Sequence, residues 1–289
     1  MTIHDEDDAV FARARPMLLG LAYRLLGSRA DAEDAVQDTW LKWRASASKA
    51  IDNPGAWLTT LCTRRCIDML RSAHKSRVDY VGNWLPEPLQ TSAEATSDVS
   101  LASSLTTAFL LVLERLTPKE RAAYLLHEVF DVSYAETAST LEIEETACRK
   151  LVSRARSHVE QARVRHVTPR DRQDELLAAF QAAIVGGHTD RLAALLASDV
   201  ELRADGGGKV PALRETLQGK QAVLAFVGDT LRRFWGELEW DTPDLNAGRA
   251  VIVRKDGQLV ASVSFAYDEH GVATGIYIVR NPDKLGALA

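Results

Sequence analysis

The sequence predicts a multidomain fold in which two all-α domains are followed by an α+β domain. Three observations support this prediction. Apolar residues recur at helical spacing through most of the first 166 residues, and a proline-containing stretch without periodicity interrupts them. Four runs with strand-like composition, separated by hairpin turn signals, lie near the end of the chain. At 289 residues the chain can hold two or three domains, which we place at 8–78, 104–166 and 170–289, with a linker at 79–103.

Composition restricts the classes of function. The chain is 46% hydrophobic with a formal net charge of −5, so it is globular and any DNA-binding surface must be local. No signal peptide or membrane-length apolar run is present, and we expect a cytoplasmic protein without a membrane partner. The 3 cysteines do not form a disulfide framework. Cys62 and Cys66 are one helical turn apart, and we expect small core residues there, not a metal or redox site.

The first predicted domain contains three helices, at 11–26, 30–44 and 54–76. The exposed side of its second helix is acidic and polar, with Asp31, Glu33, Asp34, Gln37 and Asp38. Asp34, Gln37 and Asp38 share one face, so a basic partner surface explains them better than burial does. The second half of the third helix is basic, with Arg64, Arg65, Arg71, Lys75 and Arg77. The two faces indicate two different partners.

The stretch 79–103 has no helical periodicity. Trp84-Leu85-Pro86-Glu87-Pro88 cannot be helical, because each proline pushes the residue before it into extended geometry. We therefore expect a flexible linker. An exposed indole is unusual in a linker, so we expect Trp84 to dock on another part of the chain.

The second predicted domain contains a helix-turn-helix. Thr117 with Glu120, and Ser133 with Glu136, form capping boxes that each start a helix. In the third helix, an inward stripe of Cys148, Val152, Ala155 and Val159 lies opposite a basic side. Such an arrangement places a recognition helix in the DNA major groove. The candidate DNA contacts are Thr146, Arg149, Lys150, Ser153, Arg154 and Arg156. The alternative is the solvated face of an ordinary helical bundle.

The last predicted domain combines helices with an antiparallel sheet. Helices are predicted at 175–185, 189–196 and 220–235, with a first strand at 199–203. Four further strands at 237–241, 249–255, 258–267 and 272–279 are joined by turns such as Asp256-Gly257. Helices followed by an antiparallel meander indicate an α+β domain.

Several segments resemble bacterial extracytoplasmic-function (ECF) sigma factors. Residues 31–40 (DAEDAVQDTW) resemble the polymerase-binding helix of that family. Ala56-Trp57-Leu58, followed by 66–71 (CIDMLR), resembles the helix that reads the −10 promoter element. Residues 116–156, which end in Ser153-Arg154-Ala155-Arg156, resemble the −35-reading domain. The rest resembles a SnoaL-like domain, a cone-shaped α+β fold. Three motifs, WLPEP at 84–88, DGGGK at 205–209 and NPDKL at 281–285, are similar to hallmarks of the SigJ-like subgroup, which carries such a domain.

The resemblance implies an alternative sigma factor that binds core RNA polymerase and promoter DNA and directs transcription initiation. The acidic helix would bind polymerase, the basic half of the third helix would contact the −10 element, and the recognition helix would contact the −35 element. The C-terminal domain would modulate activity by packing on the linker, and an unidentified small ligand or protein is a further candidate partner. The residues implied in that contact are Trp84, Leu85, Pro86, Asp205, Gly206, Gly207, Gly208, Lys209, Asn281, Pro282, Asp283, Lys284 and Leu285.

Two alternatives stay open at this point. The first is a SnoaL-type enzyme fused to a DNA-binding module. Such chemistry needs a His or carboxylate pair facing an apolar cavity, whereas His188 and His270 are both expected to be exposed. Residues 205–209 are not a P-loop, because Val210 follows Lys209. We therefore predict no catalytic residue, cofactor or metal site. The second is a ligand-sensing helix-turn-helix repressor, which the acidic helix and the divided DNA surface disfavour.

Overall fold

The computed structural model of the chain describes residues 3–46, 51–78, 80–91, 99–162, 164 and 168–288. The chain forms two compact units. Unit 1 consists of Met1–Val78 with Leu113–Gln161, and unit 2 of Asp79–Val112 with Ala162–Ala289. No helix in the described ranges is both long enough and apolar enough to cross a membrane.

The described secondary structure has the following bounds. The helices are α1 (Ile3–Leu26), α2 (Arg29–Ser46), α3 (Pro54–Val78), α4 (Val99–Ser103), α5 (Thr107–Leu113), α6 (Pro118–Tyr124), α7 (Tyr134–Leu141), α8 (Glu145–Ala162), α9 (Arg170–Gly186), α10 (Asp190–Leu195), α11 (Lys220–Ala225), α12 (Arg232–Trp235) and α13 (Pro282–Leu285). The strands are β1 (Leu196–Asp205), β2 (Leu217–Gln218), β3 (Glu239–Asp241), β4 (Asp244–Leu245), β5 (Gly248–Arg249), β6 (Val251–Lys255), β7 (Gln258–Tyr267) and β8 (Ala273–Val279). A π-helical turn at Leu125–Val129 extends α6, and another at Phe226–Leu231 joins α11 to α12.

Unit 1 is all-α. Helices α1, α2 and α3 pack around fully buried leucines, among them Leu18, Leu21 and Leu58. Arg121 on α6 is 3% exposed, and its Nη1 donates to the carbonyl of Leu25, at 2.6 Å, and to Glu114 Oε1, at 2.7 Å. A buried guanidinium needs such acceptors, since an unpaired buried charge is strongly destabilising. Arg121 therefore ties α6 to the end of α1 within this unit.

Unit 2 contains a mixed six-stranded sheet in the order β2-β1-β8-β7-β6-β3. One face carries a core that includes Phe180 from α9, Trp235 from α12 and Phe265 from β7. The opposite face packs against a second apolar cluster that includes Leu85 and Leu285. The sheet is thus covered on both faces.

Two features of unit 2 differ from the sequence prediction. The expected antiparallel meander is present as β3, β6, β7 and β8. Strand β1, however, pairs with β8 in parallel, so the whole sheet is mixed. Strand composition does not report the direction of a partner that is distant in sequence. Residues 80–91 do not have the expected flexibility, because Leu85 is fully buried and the segment bonds to the sheet domain. Residues 92–98 lie outside the described part of the chain.

Candidate polymerase, DNA and linker contact sites

The acidic face of α2 is set by its amphipathic pattern. Ser28 Oγ accepts from the amide of Asp31 at 3.2 Å, which satisfies a free donor at the helix start. The buried residues of α2 are Ala32, Ala35, Val36, Thr39 and Trp43. Their burial directs Glu33, Asp34 and Gln37 outwards, where all three are exposed, while Asp31 and Asp38 are half-buried. The predicted acidic face is therefore present on the surface of unit 1.

Some of the acidic side chains have partners in unit 1. Arg29 Nε lies 3.0 Å from Glu33 Oε1 on the same helix, and Arg65 Nε from α3 lies 2.7 Å from Asp38 Oδ2. Leu41 is 52% exposed, one helical turn beyond Asp38. Sequence reasoning missed Leu41, although an apolar residue seven positions after Asp34 on a polar face could have indicated it.

Arg64, at the start of the basic half of α3, contacts the end of α7 inside unit 1. Arg64 donates from Nε to the carbonyl of Thr140, at 2.9 Å, and from Nη2 to that of Ser139, at 3.0 Å. Its Nη1 also lies 2.9 Å from Glu142 Oε1. The last carbonyls of a helix lack intrahelical donors, so a guanidinium at the end of α7 is favourable.

The other predicted −10 residues on α3 differ in their surroundings. Arg71 pairs with Asp68 on the same helix, with 3.5 Å between Nη1 and Oδ1. Lys75 and Arg77 belong to the last turns of α3, and their side chains lie outside the described residues.

Both predicted capping boxes are present. The hydroxyls of Thr117 and Ser133 accept from the amides of Glu120 and Glu136, and both glutamates bond back to the cap amides. Burial raises the pKa of Glu120, but hydrogen bonds from Thr117 and the charge of Arg154 outweigh it, so the pKa lies below its usual value. The carboxylate is thus held charged at the start of α6, where the helix dipole favours it.

Helix α8 has the predicted amphipathic structure. Cys148, Val152, Ala155 and Val159 are buried, as the sequence predicted. The candidate DNA contacts Thr146, Arg149, Lys150, Ser153, Arg154 and Arg156 are all exposed. The recognition helix therefore presents its basic side to solvent within unit 1.

Three arginines of α8 pair with carboxylates. Nη2 of Arg149 lies 2.5 Å from Glu145 Oε1, Nε of Arg154 lies 3.0 Å from Glu120 Oε1, and Nη2 of Arg156 lies 2.5 Å from Glu128 Oε1. Arg149 also stacks on Tyr134, with Cζ 4.2 Å from the ring centroid. Sequence reasoning used Tyr134 only as part of a capping motif and missed this contact.

Unit 2 brings the three linker-contact motifs together around Asp205. The carboxylate of Asp205 is fully buried and accepts from Tyr80 Oη at 2.6 Å, Leu85 N at 2.9 Å, Gly207 N at 2.9 Å and Lys284 Nζ at 2.7 Å. These five residues are called the Asp205 cluster below. Four donors, one of which is the Lys284 cation, compensate the cost of burying a charge. The Asp205 cluster therefore joins the linker, the end of β1 and α13.

Lys284 is enclosed by the linker. Its Nζ donates to the carbonyl of Leu85 at 2.5 Å and lies 4.4 Å from the centroid of the Trp84 ring and 5.2 Å from that of Tyr80. A cation over aromatic faces is attracted by their quadrupoles. Trp84 is therefore docked, as expected, and Tyr80 is a cluster member that sequence reasoning missed. Burial and the hydrogen bond to Asp205 raise the pKa of the Tyr80 phenol, which keeps it a donor.

The triple-glycine turn permits close contact. Gly207 has φ +61°, and a Cβ there would collide with the side chain of Asn281. Gly208 has φ +70°, and its Cβ would lie 3.2 Å from Val81 of the linker. Both positions combine a left-handed backbone with near neighbours, which only glycine accommodates without strain. Gly206 is buried, and a Cβ there would collide with the carbonyl oxygen of Val210.

The remaining residues of the predicted linker contact differ in burial and in their partners. Asn281 caps α13 by accepting from the amide of Asp283, and Leu285 is buried against Leu85. Pro86 is buried, while Pro282 is exposed. Lys209 and Asp283 pair with each other at 2.5 Å on the surface and are both more than half exposed. They bridge the glycine turn and α13 without contacting the linker in the described structure.

A second contact holds the end of the linker. The amide of Leu89 donates to Asn246 Oδ1 at 3.0 Å, and the amide of Asn246 donates back to the carbonyl of Leu89 at 2.8 Å. Thr91 N donates to the carbonyl of Asp244 at 3.0 Å. The linker thus adds to the β4–β5 hairpin like an edge strand.

The two histidines considered for catalysis, His188 and His270, are both exposed. Neither faces an apolar cavity in the described structure. Cys62 and Cys66 are fully buried in the α1–α3 core, where the sequence placed them.

Comparison with known proteins identifies the two helical regions. Residues 10–76 match the Sigma-70 region 2 family model, and residues 106–159 match the Sigma-70, region 4 model. These matches cover α2, α3 and the helix-turn-helix described above.

Full-length relatives extend the similarity across the whole chain. The ECF RNA polymerase sigma factor SigJ of Mycobacterium tuberculosis is 35% identical over 286 residues, covering 95% of this chain and 91% of that protein. The probable ECF RNA polymerase sigma factor SigI of the same organism is 29% identical, covering 100% and 98%. The crystal structure of M. tuberculosis SigJ superimposes with a TM-score of 0.77 at 32% identity, over 96% of this chain and 97% of SigJ. The chain therefore belongs to the ECF sigma factors, the non-enzymatic subunits that bind RNA polymerase and direct it to promoters at transcription initiation.

Proposed function

We propose that the acidic face of α2, with Asp31, Glu33, Asp34, Gln37, Asp38 and the exposed Leu41, binds core RNA polymerase. The basic half of α3 contacts the −10 element through Arg64, Arg65, Arg71, Lys75 and Arg77. Helix α8 contacts the −35 element through Thr146, Arg149, Lys150, Ser153, Arg154 and Arg156. The exposure of Glu33, Asp34 and Gln37 on α2 and of the basic side chains on α8 supports the first and third assignments, and the exposed Arg71 supports the second.

The C-terminal α+β domain regulates the sigma regions by holding the linker. One observation carries this proposal. The buried Asp205–Lys284 pair, with Lys284 side chain 12% exposed, is completed by the backbone and aromatic rings of the linker. Both buried charges are stabilised by groups of the linker. Release of the linker removes these groups, and the loss raises the free energy of the Asp205–Lys284 pair. The proposed regulation is a switch of the linker between this held state and a released one.

The polymerase contact and the regulatory contact can be separated in one reconstituted transcription experiment. Core polymerase is mixed with the full-length chain, and transcripts are counted from a library of promoters with randomised elements. Asp34→Lys introduces like charge at the proposed interface, so it lowers both core binding in a titrated pull-down and transcript yield. Lys284→Met breaks the Asp205 cluster, so it changes yield while core binding stays at the wild-type level.

Lys209→Met is the matched control, because it removes a lysine from the neighbouring exposed pair without touching the Asp205 cluster. Its yield should equal that of the wild type. Unchanged core binding in Asp34→Lys contradicts the polymerase site. A yield of Lys284→Met equal to that of Lys209→Met contradicts the regulatory role.

A further inference from the structure

Tyr134 lies between two side chains at the start of the helix-turn-helix. It is the first residue of α7, directly after the Ser133 cap. On one side the His127 ring stacks on it, with centroids 3.7 Å apart and planes inclined by 30°. The Arg149 guanidinium from α8 lies over the ring, with Cζ 4.2 Å from its centroid.

The stack is anchored at both ends. His127 Nδ1 lies 2.9 Å from the carbonyl oxygen of Val132, in the turn before α7. At the other end, Glu145 Oε1 accepts from Arg149 Nε at 3.1 Å and from Nη2 at 2.5 Å. The guanidinium is thus held by a carboxylate at its edge and by a ring against its face.

Tyr134 also lies next to a second arginine of α8. The carboxylate of Glu128 and, after it, the Tyr134 hydroxyl raise the pKa of Arg156. Arg156 is itself paired with Glu128 at 2.5 Å. Tyr134 therefore lies close to both Arg149 and Arg156 of α8.

An arginine that reads a base must present its planar fork in one orientation. Free arginine side chains lose about 2 kcal/mol of rotamer entropy when they are fixed. The pair with Glu145 is an exposed contact on one helix, and such pairs fix a side chain only weakly. The aromatic face adds a second constraint, which acts on the plane of the guanidinium.

We propose that Tyr134 is a positioning residue for promoter recognition, because its ring sets the plane in which Arg149 meets a base pair of the −35 element. The inference rests on the proposed −35 role of Arg149. The chemistry that such a held guanidinium recognises is a base with two acceptors on its major-groove edge, which is guanine.

The test uses the full-length chain bound to core polymerase. Transcripts are sequenced from a promoter library randomised across the upstream element, which gives a base preference at each position. Arg149→Ala should remove the preference at one base pair. Tyr134→Leu should weaken the preference at that base pair, by roughly two- to fivefold, the effect of losing an exposed cation–π contact. Tyr134→Phe keeps the ring and should keep the wild-type preference.

A double variant separates positioning from stability. If Tyr134 acts through Arg149, then Tyr134→Leu has no further effect on that preference when Arg149→Ala is already present. Two results would overturn the proposal. One is that Tyr134→Leu weakens the base preference equally at all positions. The other is that Tyr134→Leu keeps the wild-type profile although Arg149→Ala loses the preference at its base pair. A wild-type profile for Arg149→Ala instead overturns the proposed −35 contact itself.

Discussion

Asp205 connects parts of the chain that lie far apart in sequence. Three of the four residues that donate to its carboxylate are 125 positions before it, 120 positions before it and 79 positions after it. The side chain is fully buried, so water cannot replace a lost donor. One carboxylate therefore determines whether the linker, the glycine turn and α13 stay together.

Asp205→Asn should destabilise the full-length protein by about 3–5 kcal/mol, because it removes the carboxylate charge that compensates the buried ammonium of Lys284. The amide also places a donor where the carboxylate accepts. The measurement is urea unfolding followed by circular dichroism. Amide exchange at Leu85, which donates to Asp205, should speed up in the variant.

Asp283→Asn is the control, because Asp283 belongs to an exposed pair whose side chains are 54% and 62% exposed. Such pairs contribute about 0–1 kcal/mol, so its unfolding curve should stay close to that of the wild type. Equal destabilisation by both substitutions would show that the Asp205 cluster is not the main contact.

At the scale of single elements, the turn between α7 and α8 contains a strained residue. Glu142 caps α7 with φ 52° and ψ 54°, in the left-handed region, where many such turns have glycine. The side chain compensates in part, since its carboxylate pairs with Arg64 at 2.9 Å. Glu142 therefore has an unfavourable backbone conformation, and its side chain makes a favourable contact between the end of α7 and α3.

Substitution of Glu142 should separate these two effects. Glu142→Ala loses the ion pair and keeps the strain, so it should lower stability by no more than about 1 kcal/mol. Glu142→Gly loses the same pair and relieves the strain, so it should be more stable than Glu142→Ala by about 1–2 kcal/mol. Thermal and urea unfolding check both values, and equal stability of the two variants would contradict the strain.

Local elements could be predicted from the sequence, because the interactions that make them span three or four residues. The stripe from Cys148 to Val159 and the capping box at Ser133 are examples, and both are present. The parallel pairing of β1 with β8 and the packing of residues 80–91 depend on partners far away in sequence. Trp84 was expected to dock because an indole is out of place in a linker, but Tyr80 carries no such signal.

For the whole molecule, charge is distributed so that the described arginines on the proposed DNA surfaces have acidic partners in unit 1. The net charge of −5 provides no general attraction to DNA. Arg65 connects the two kinds of surface, because its Nε lies 2.7 Å from Oδ2 of Asp38, a residue of the proposed polymerase face. Polymerase binding at Asp38 would therefore release a cation for DNA.

Asp38→Asn should strengthen the binding of the free full-length protein to duplex DNA, because it frees Arg65. If Arg65 gains one phosphate contact, the slope of log affinity against log salt becomes steeper by about 0.9. Fluorescence anisotropy over a salt series measures the slope. Asp34→Asn is the control, because it removes one negative charge from the same helix and leaves the Asp38–Arg65 ion pair in place. An equal change of slope in this control would refute the coupling between Asp38 and DNA binding by Arg65.

In a state in which the two proposed DNA-contacting helices of unit 1 separate, the anchored linker would limit the distance between them. As a free coil, residues 79–112 would have a root-mean-square span of roughly 30 Å. Contacts at the Asp205 cluster and at Asn246 hold residues 85–89 on the α+β domain, so the free length of the tether is shorter than the whole segment. A shorter tether raises the effective concentration of one helix near the other and narrows the distances at which both can bind at once. Release of the linker would therefore widen the range of spacings between the two promoter elements at which the protein can bind both. This range is a property distinct from the affinity for either element.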